Sequence, residues 1–215
     1  MTAMLDLGSF NSLQLDAIRE MGNIGTGNAA TALSQLLSCM IDMDVPEVRL
    51  VSIYDLASHY GEPDEQVAAV FVRSLGAFGC SLIFIQNEED ARLMVELLLK
   101  QQFGDSVPKD LPQELSDSAL SEVGNIILSS FLNAINMLIG TQHQISVPGV
   151  AHDMLSSILD VVASIFGQMG ETALMVNTEL RVDNGDKKSG SIQGNIVMIP
   201  DPDALEVLLR KLKVL

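Results

Sequence analysis

Glu20-Met21-Gly22-Asn23-Ile24 returns as Glu122-Val123-Gly124-Asn125-Ile126, and Pro46 returns as Pro148, each at one offset, 122 − 20 = 148 − 46 = 102. Asp16 meets Ser118 and Ala17 meets Ala119 at the same spacing. A spacing held over this length marks a duplicated structural unit, and any fold for the chain has to accommodate two copies of it.

The predicted elements repeat as well. Residues 11–38 read as a long helix with Leu15, Ile18, Ala29, Ala32, Leu33 and Leu36 among its apolar positions and Asn11 or Ser12 as N-cap. A strand is expected at 47–53 after Pro46, then a short helical or loop segment, then a hairpin of 66–73 and 79–85. Asn87 or Glu88 opens a helix ending near Gln102, with Glu88, Glu89 and Asp90 suited to its N-terminal dipole. The second half predicts a long helix over 113–139, a strand near 143–150 and a helix from Asp153 with that residue as N-cap. Strands near 172–182 and 189–199 follow around Asn184-Gly185, and Pro200-Asp201 opens a last helix. Gly104–Pro112, with Pro108 inside it, is the linker candidate. Each half is small for independent stability. The reading is therefore an α/β protein with pseudo-two-fold symmetry and a mostly antiparallel sheet, one domain built of two repeats, about 11–103 and 113–213.

Charge narrows the function classes. The chain carries 28 acidic and 12 basic side chains, a formal net charge of −16. Nucleic-acid binding needs a basic surface, and an anionic membrane repels this one. Cys39 and Cys80 form no CxxC and read as buried thiols, neither a disulfide framework nor a zinc site. The segment Met1–Asn11 lacks a basic n-region and a long apolar run, which predicts no signal peptide. The most apolar stretch, 126–139, is interrupted by Ser129, Ser130, Asn133 and Asn136, so it reads as an amphipathic helix and not a membrane span. A cytoplasmic location is the expectation.

On the first long helix Asp16, Glu20, Asn23 and Gly27 fall in steps of four, three and four residues and form one stripe. Ser118, Glu122, Asn125, Ser129, Asn133 and Asn136 form the matching stripe on the second, with Val123, Ile127 and Leu138 assigned to its apolar side. Glu and Asn on a solvated helix face are common and need no function. Yet Gly-Asn is a poor helix-forming pair, and it stands in mid-helix twice at one register. Close packing explains the glycine; an exposed Asn beside a Glu in both copies points elsewhere. Such a pair could complete a site that already holds a metal and an activated electrophile. Phosphoryl transfer fits, because its catalysis is mostly positioning and charge stabilisation, and an amide can orient the attacking water.

The pattern Asp/Ser-x3-Glu-x2-Asn-x22-Pro resembles the signature of the CheC/CheX/FliY phosphatase family. Asp16, Glu20, Asn23 and Pro46 match it, and Ser118, Glu122, Asn125 and Pro148 match it again. Two complete copies resemble the two-site, CheC-like members. The resemblance implies hydrolysis of the aspartyl phosphate of the response regulator CheY, with Asn orienting water and Glu engaging a partner lysine. It implies magnesium in the regulator and no cofactor in this chain. It also implies binding of the receptor deamidase CheD, which stimulates the phosphatase, with Asp153 in the contacting segment, and an alternative role as a CheD-sequestering module with weak or vestigial catalysis.

Other features read as structural. His59, His143 and His152 lack ligand spacing and suit surface or loop positions. Gly22, Gly25 and Gly27 lie inside a helix and lack the lysine of a phosphate-binding loop. The eleven methionines suit an adaptable core. Asp16 and Glu20 give the first site two carboxylates where the second has Glu122 alone beside a Ser118 hydroxyl free to donate to an acidic partner, so an acidic receiving pocket is expected to favour the second site.

Overall fold

The computed structural model describes residues 11–76, 78–104, 111–167, 172–183, 190–201 and 204–211. Helix α1 runs Ser12–Leu37 from a capping box, in which the Asn11 side chain accepts from the Gln14 N–H and the Gln14 side chain accepts from the Asn11 N–H. It stops at Ser38, which turns left-handed at φ 51°. Strand β1 (Met40–Ser52) leads into a 3-10 turn, Ile53–Asp55, and a one-turn helix α2, Leu56–His59. A hairpin of β2 (Gln66–Gly76) and β3 (Cys80–Asn87) follows, then α3 (Glu88–Phe103), capped by Asn87 on the Asp90 N–H. The second half gives α4 (Gln113–Ile139), β4 (His143–Ile145), β5 (Gly149–Met154), α5 (Leu155–Phe166), β6 (Thr172–Asp183), β7 (Gly190–Pro200) and α6 (Ala204–Lys211). Gly140 ends α4 left-handed at φ 69°, at the repeat position of Ser38.

The sheet interleaves the repeats. Its order is β1-β6-β7-β3-β2-β4, with β5 also on β2, and every pairing is antiparallel. The pseudo-two-fold passes between β3 and β7. The outer strand of each repeat pairs with the hairpin of the other: β1 lies on β6, while β4 and β5 lie on β2. Both faces are buried. Leu82 and Phe84 of β3 join α1, α3, α4 and α6 in one core; Ile83 and Ile85 join the 53–56 segment and α5 in the other.

Several boundaries differ from the sequence reading. β1 starts at Met40 and not at residue 47, because Pro46 interrupts the ladder only as a bulge: Asp44 pairs with Glu179 and Glu47 with Asn177, leaving one extra residue on β1. The strand expected near 143–150 is two strands. Ile145 pairs with Ser74 and Gly149 with Phe71, again one extra residue, at Pro148. A proline cannot donate to a ladder, so both repeats place it where the ladder is already broken. The helix expected from Asp153 begins at Leu155, and Asp153 lies in β5 opposite Val67. No side chain caps that helix; Leu155 and Ser156 donate to the carbonyls of Glu65 and Pro63 instead. Pro108, Asn184, Gly185, residues 202–203 and residues 1–10 lie outside the described residues; Pro200, expected to open the last helix, ends β7 instead.

By length and composition α4 could cross a bilayer. Its apolar residues, among them Leu120, Val123, Ile127, Leu128, Phe131 and Ile135, are instead buried in the core shared with the sheet and α1.

Candidate functional site

The two stripes emerge from helices held by opposite faces. In α1, Ile18, Met21, Gly25, Ala29 and Leu33 are buried, which leaves Asp16, Glu20, Asn23 and Gly27 exposed. In α4, Ala119, Val123, Ile127 and Phe131 are buried, which leaves Ser118 and Glu122 exposed and Asn125 half-buried. Each Glu and Asn stand three residues apart, about 4.5 Å of rise, so a carboxylate and an amide face the same partner one turn from each other. Among the described residues none of these four side chains has a hydrogen-bond or ion-pair partner. A carboxylate and an amide presented this way can anchor a cationic side chain and orient a water toward an electrophile that a partner supplies.

The glycines beneath the pairs differ. A Cβ on Gly124 would lie 2.6 Å from the Val70 side chain, so the crossing of α4 over β2 excludes one. A Cβ on Gly22 would meet Val45, the residue beside Pro46 in the β1 bulge, at an ordinary 3.6 Å. Gly25 faces inward, where its Cβ would lie 3.0 Å from the Phe131 backbone, at the packing of α1 on α4. Of the first-site glycines only Gly27 opens to solvent, with nothing within 4 Å. Its repeat mate, Ser129, is half-buried and donates to the Ile126 carbonyl.

The structure corrects four assignments. Asn136 leaves the second stripe: it is buried, donates Nδ2 to the Leu132 carbonyl and accepts from Thr141 Oγ1. Leu138, assigned to the apolar side, is exposed. Asp16 is not a bare charge, because Arg19 approaches it to 2.6 Å. Ser118 is not a waiting donor, because its hydroxyl donates to the Glu114 carbonyl at 2.8 Å. Asp16, Arg19 and Glu20 sum to one negative charge, as Ser118, Ser121 and Glu122 do, so the reason for favouring the second site disappears. The i, i+3 spacing of Asp16 and Arg19 was the signal that could have revealed this.

The remaining candidates sit apart from the stripes. Pro46 and Pro148 mark the bulges. Asp153 is exposed on β5, with its carboxylate accepting the Met154 N–H at 2.7 Å. Cys80 is buried, and burial pushes its thiol up to about 12; Cys39 is half-buried. Among the described residues no three His, Cys, Asp or Glu side chains converge as metal ligands. His59 is exposed at the end of α2, 3.4 Å from the Arg49 guanidinium. The side chain of His143 lies outside the described residues. His152 is neither a loop nor a plain surface residue: it is half-buried on β5 and reaches Glu88 and Asp117, an assembly from three elements that no local pattern announces.

Comparison with known proteins gives the same two segments. The CheC-like family matches residues 13–49 and 115–152, two stretches whose starts are 115 − 13 = 102 residues apart. The chain is 35% identical over 196 residues to the CheY-P phosphatase CheC of Bacillus subtilis, covering 91% of each. It is 27% identical over 146 residues to the flagellar motor switch phosphatase FliY of the same organism, covering 67% of this chain and 37% of that protein. The crystal structure of Thermotoga maritima FliY superposes with a TM-score of 0.74 over 95% of this chain and 98% of that one, at 20% identity, a likeness of fold.

Proposed function

The chain belongs to the CheC-like family, and from that premise we propose that it is a phosphatase acting on the aspartyl phosphate of a CheY-type response regulator. The observation that carries the reading is the Glu-x-x-Asn pair presented twice, on exposed faces of α1 and α4, with all four side chains unengaged among the described residues. Asn23 or Asn125 accepts a hydrogen bond from a water through its amide oxygen and aims it at phosphorus, in line with the aspartyl oxygen. The new O–P bond forms as the aspartyl O–P bond breaks, and the products are inorganic phosphate and a free carboxylate on the regulator. Glu20 or Glu122 pairs with a lysine of the regulator and fixes the approach. Magnesium belongs to the regulator, where it offsets phosphoryl charge; this chain supplies geometry. Asp16, Ser118, Pro46 and Pro148 support the two pairs through helix and bulge. The two repeats act as one cytoplasmic unit.

The experiment is phosphate release from the phosphorylated regulator with and without the protein. Asn23→Ala together with Asn125→Ala is expected to remove the acceleration while leaving the fold intact, since neither side chain is in the core. Retained turnover in that double variant overturns the site assignment.

A CheD-type partner is the second component, and the exposure of Asp153 on β5 favours it. Asp153→Ala is expected to weaken binding of CheD in titration calorimetry and to leave unstimulated phosphate release intact. If phosphate release is absent while that complex forms, the sequestering role is the function.

A further inference from the structure

We propose that His152 is a positioning residue for the second site alone, clamping the first turns of α4 to β5 and α3 through a carboxylate on each helix; the inference rests on the phosphatase reading above. Nδ1 of His152 lies 2.7 Å from Glu88 Oε1, and Nε2 lies 3.1 Å from Asp117 Oδ1. Glu88 is the first residue of α3. Asp117 precedes Ser118 and stands just over a turn before Glu122, on the part of α4 that carries the second pair. His152 pairs with Ala68 on β2, which belongs to the core on the helix side of the sheet, so its ring points toward the helices.

The chemistry of the three groups is specific. Ionised carboxylates only accept hydrogen bonds, and a neutral imidazole has one donor and one acceptor nitrogen. A neutral His152 can therefore satisfy Glu88 or Asp117 but turns a lone pair toward the other. Both contacts together require the imidazolium, whose two N–H groups make charge-assisted bonds. The groups facing the ring are Glu88 from α3 and Asp117 from α4, while β2 offers the apolar Ala68. Asp117 also accepts from Gln113 Nε2 at 2.8 Å, which ties the first turn of α4 to the same carboxylate.

Two further observations make the clamp matter to α4 and not to α1. At the repeat offset, Asp117 and His152 correspond to Leu15 and Leu50. Leu50 is a half-buried apolar residue packed against the helix-side core, so the first repeat has no titrating group at this place. Moreover α1 begins with a reciprocal capping box, whereas α4 begins at Pro112 with no side-chain cap. The start of the second helix is secured from the side by His152, where the first is secured from its end by Asn11.

The test separates the two sites. In protein carrying Asn23→Ala only the second pair can work; in protein carrying Asn125→Ala only the first can. The ratio of their phosphate-release rates cancels the regulator's own pH dependence. That ratio is expected to fall as pH rises, because a ring that has given up one N–H can donate to only one of the two carboxylates. His152→Gln should lower the second-site protein about tenfold, below the roughly hundredfold that 1 Å of misplacement can cost. It should leave the first-site protein within about twofold and flatten the ratio against pH. If His152→Gln does not fold, Glu88→Gln and Asp117→Asn loosen the same clamp at nearly constant volume. A ratio flat with pH in the unsubstituted clamp, or equal losses at both sites, overturns the proposal. Should neither single-site protein release phosphate, the phosphatase reading fails on its own. The clamp is then judged by backbone amide exchange, corrected for intrinsic rates. His152→Gln is expected to speed exchange over residues 113–122 and not over 12–20, and unchanged protection there sinks it.

Discussion

The two repeats present the same pair of side chains by different means. Around Asn23 the helix is capped at its start and rests on apolar contacts, and Gly22 has ordinary space above Val45. Around Asn125 the helix is uncapped, Gly124 is pressed onto Val70, and a histidine bridge holds the side. The Glu and Asn hold one register in both repeats while the residues beneath them differ. The difference teaches that the outward pair is set by helix spacing, whereas support can be built from packing, capping or charge.

The sharpest way to break that comparison is at the glycines. Gly124→Ala should destabilise the protein by about 1–3 kcal/mol, because the new methyl must displace Val70 in a packed core. Gly22→Ala should be neutral or stabilising by up to about 1 kcal/mol, since a helical alanine is better than glycine where space permits. Urea midpoints of the two variants measure this, and Val70→Ala should recover part of the first loss. Equal destabilisation at both positions would show the two crossings to be alike.

Capping gives the next contrast. Asn11→Ala removes one half of the box and should cost about 1 kcal/mol. Pro112→Ser installs a cap that α4 lacks and should gain a smaller amount. The same urea midpoints decide, and a gain at Pro112 larger than the loss at Asn11 would show the first helix to be held by its core alone.

Docking charge should separate the sites least, since the first stripe with Arg19 beside it and the second stripe each sum to one negative charge. Glu20→Gln and Glu122→Gln should weaken regulator binding by similar factors at low salt, with the difference from wild type shrinking as salt rises. A loss several times larger at one of them means the regulator distinguishes the sites by charge.

The smallest effect is expected at Arg19. In protein carrying Asn125→Ala, Arg19→Ala exposes the Asp16 charge and should slow phosphate release by about twofold, the scale of a surface ion pair, and only at low salt. No change would mean that Asp16 stands away from the docked partner.

Much of this was legible in the chain itself. The 102-residue offset fixed two copies, the steps of four and three placed each Glu and Asn on one helical face, and apolar periodicity fixed the helices nearly to their ends. These are local properties, set by backbone geometry and side-chain pattern within a few turns. Tertiary structure decided the rest. Which hairpin each outer strand joins, why Pro46 and Pro148 sit at bulges, and why α5 starts after Asp153 all depend on strands and carbonyls far along the chain. Asn136 is buried because its amide closes the end of α4 against Thr141, which hydropathy cannot register. His152 meets Glu88 and Asp117 across separations of 64 and 35 residues, because folding brings β5, α3 and α4 to one point where only a charged ring satisfies both carboxylates.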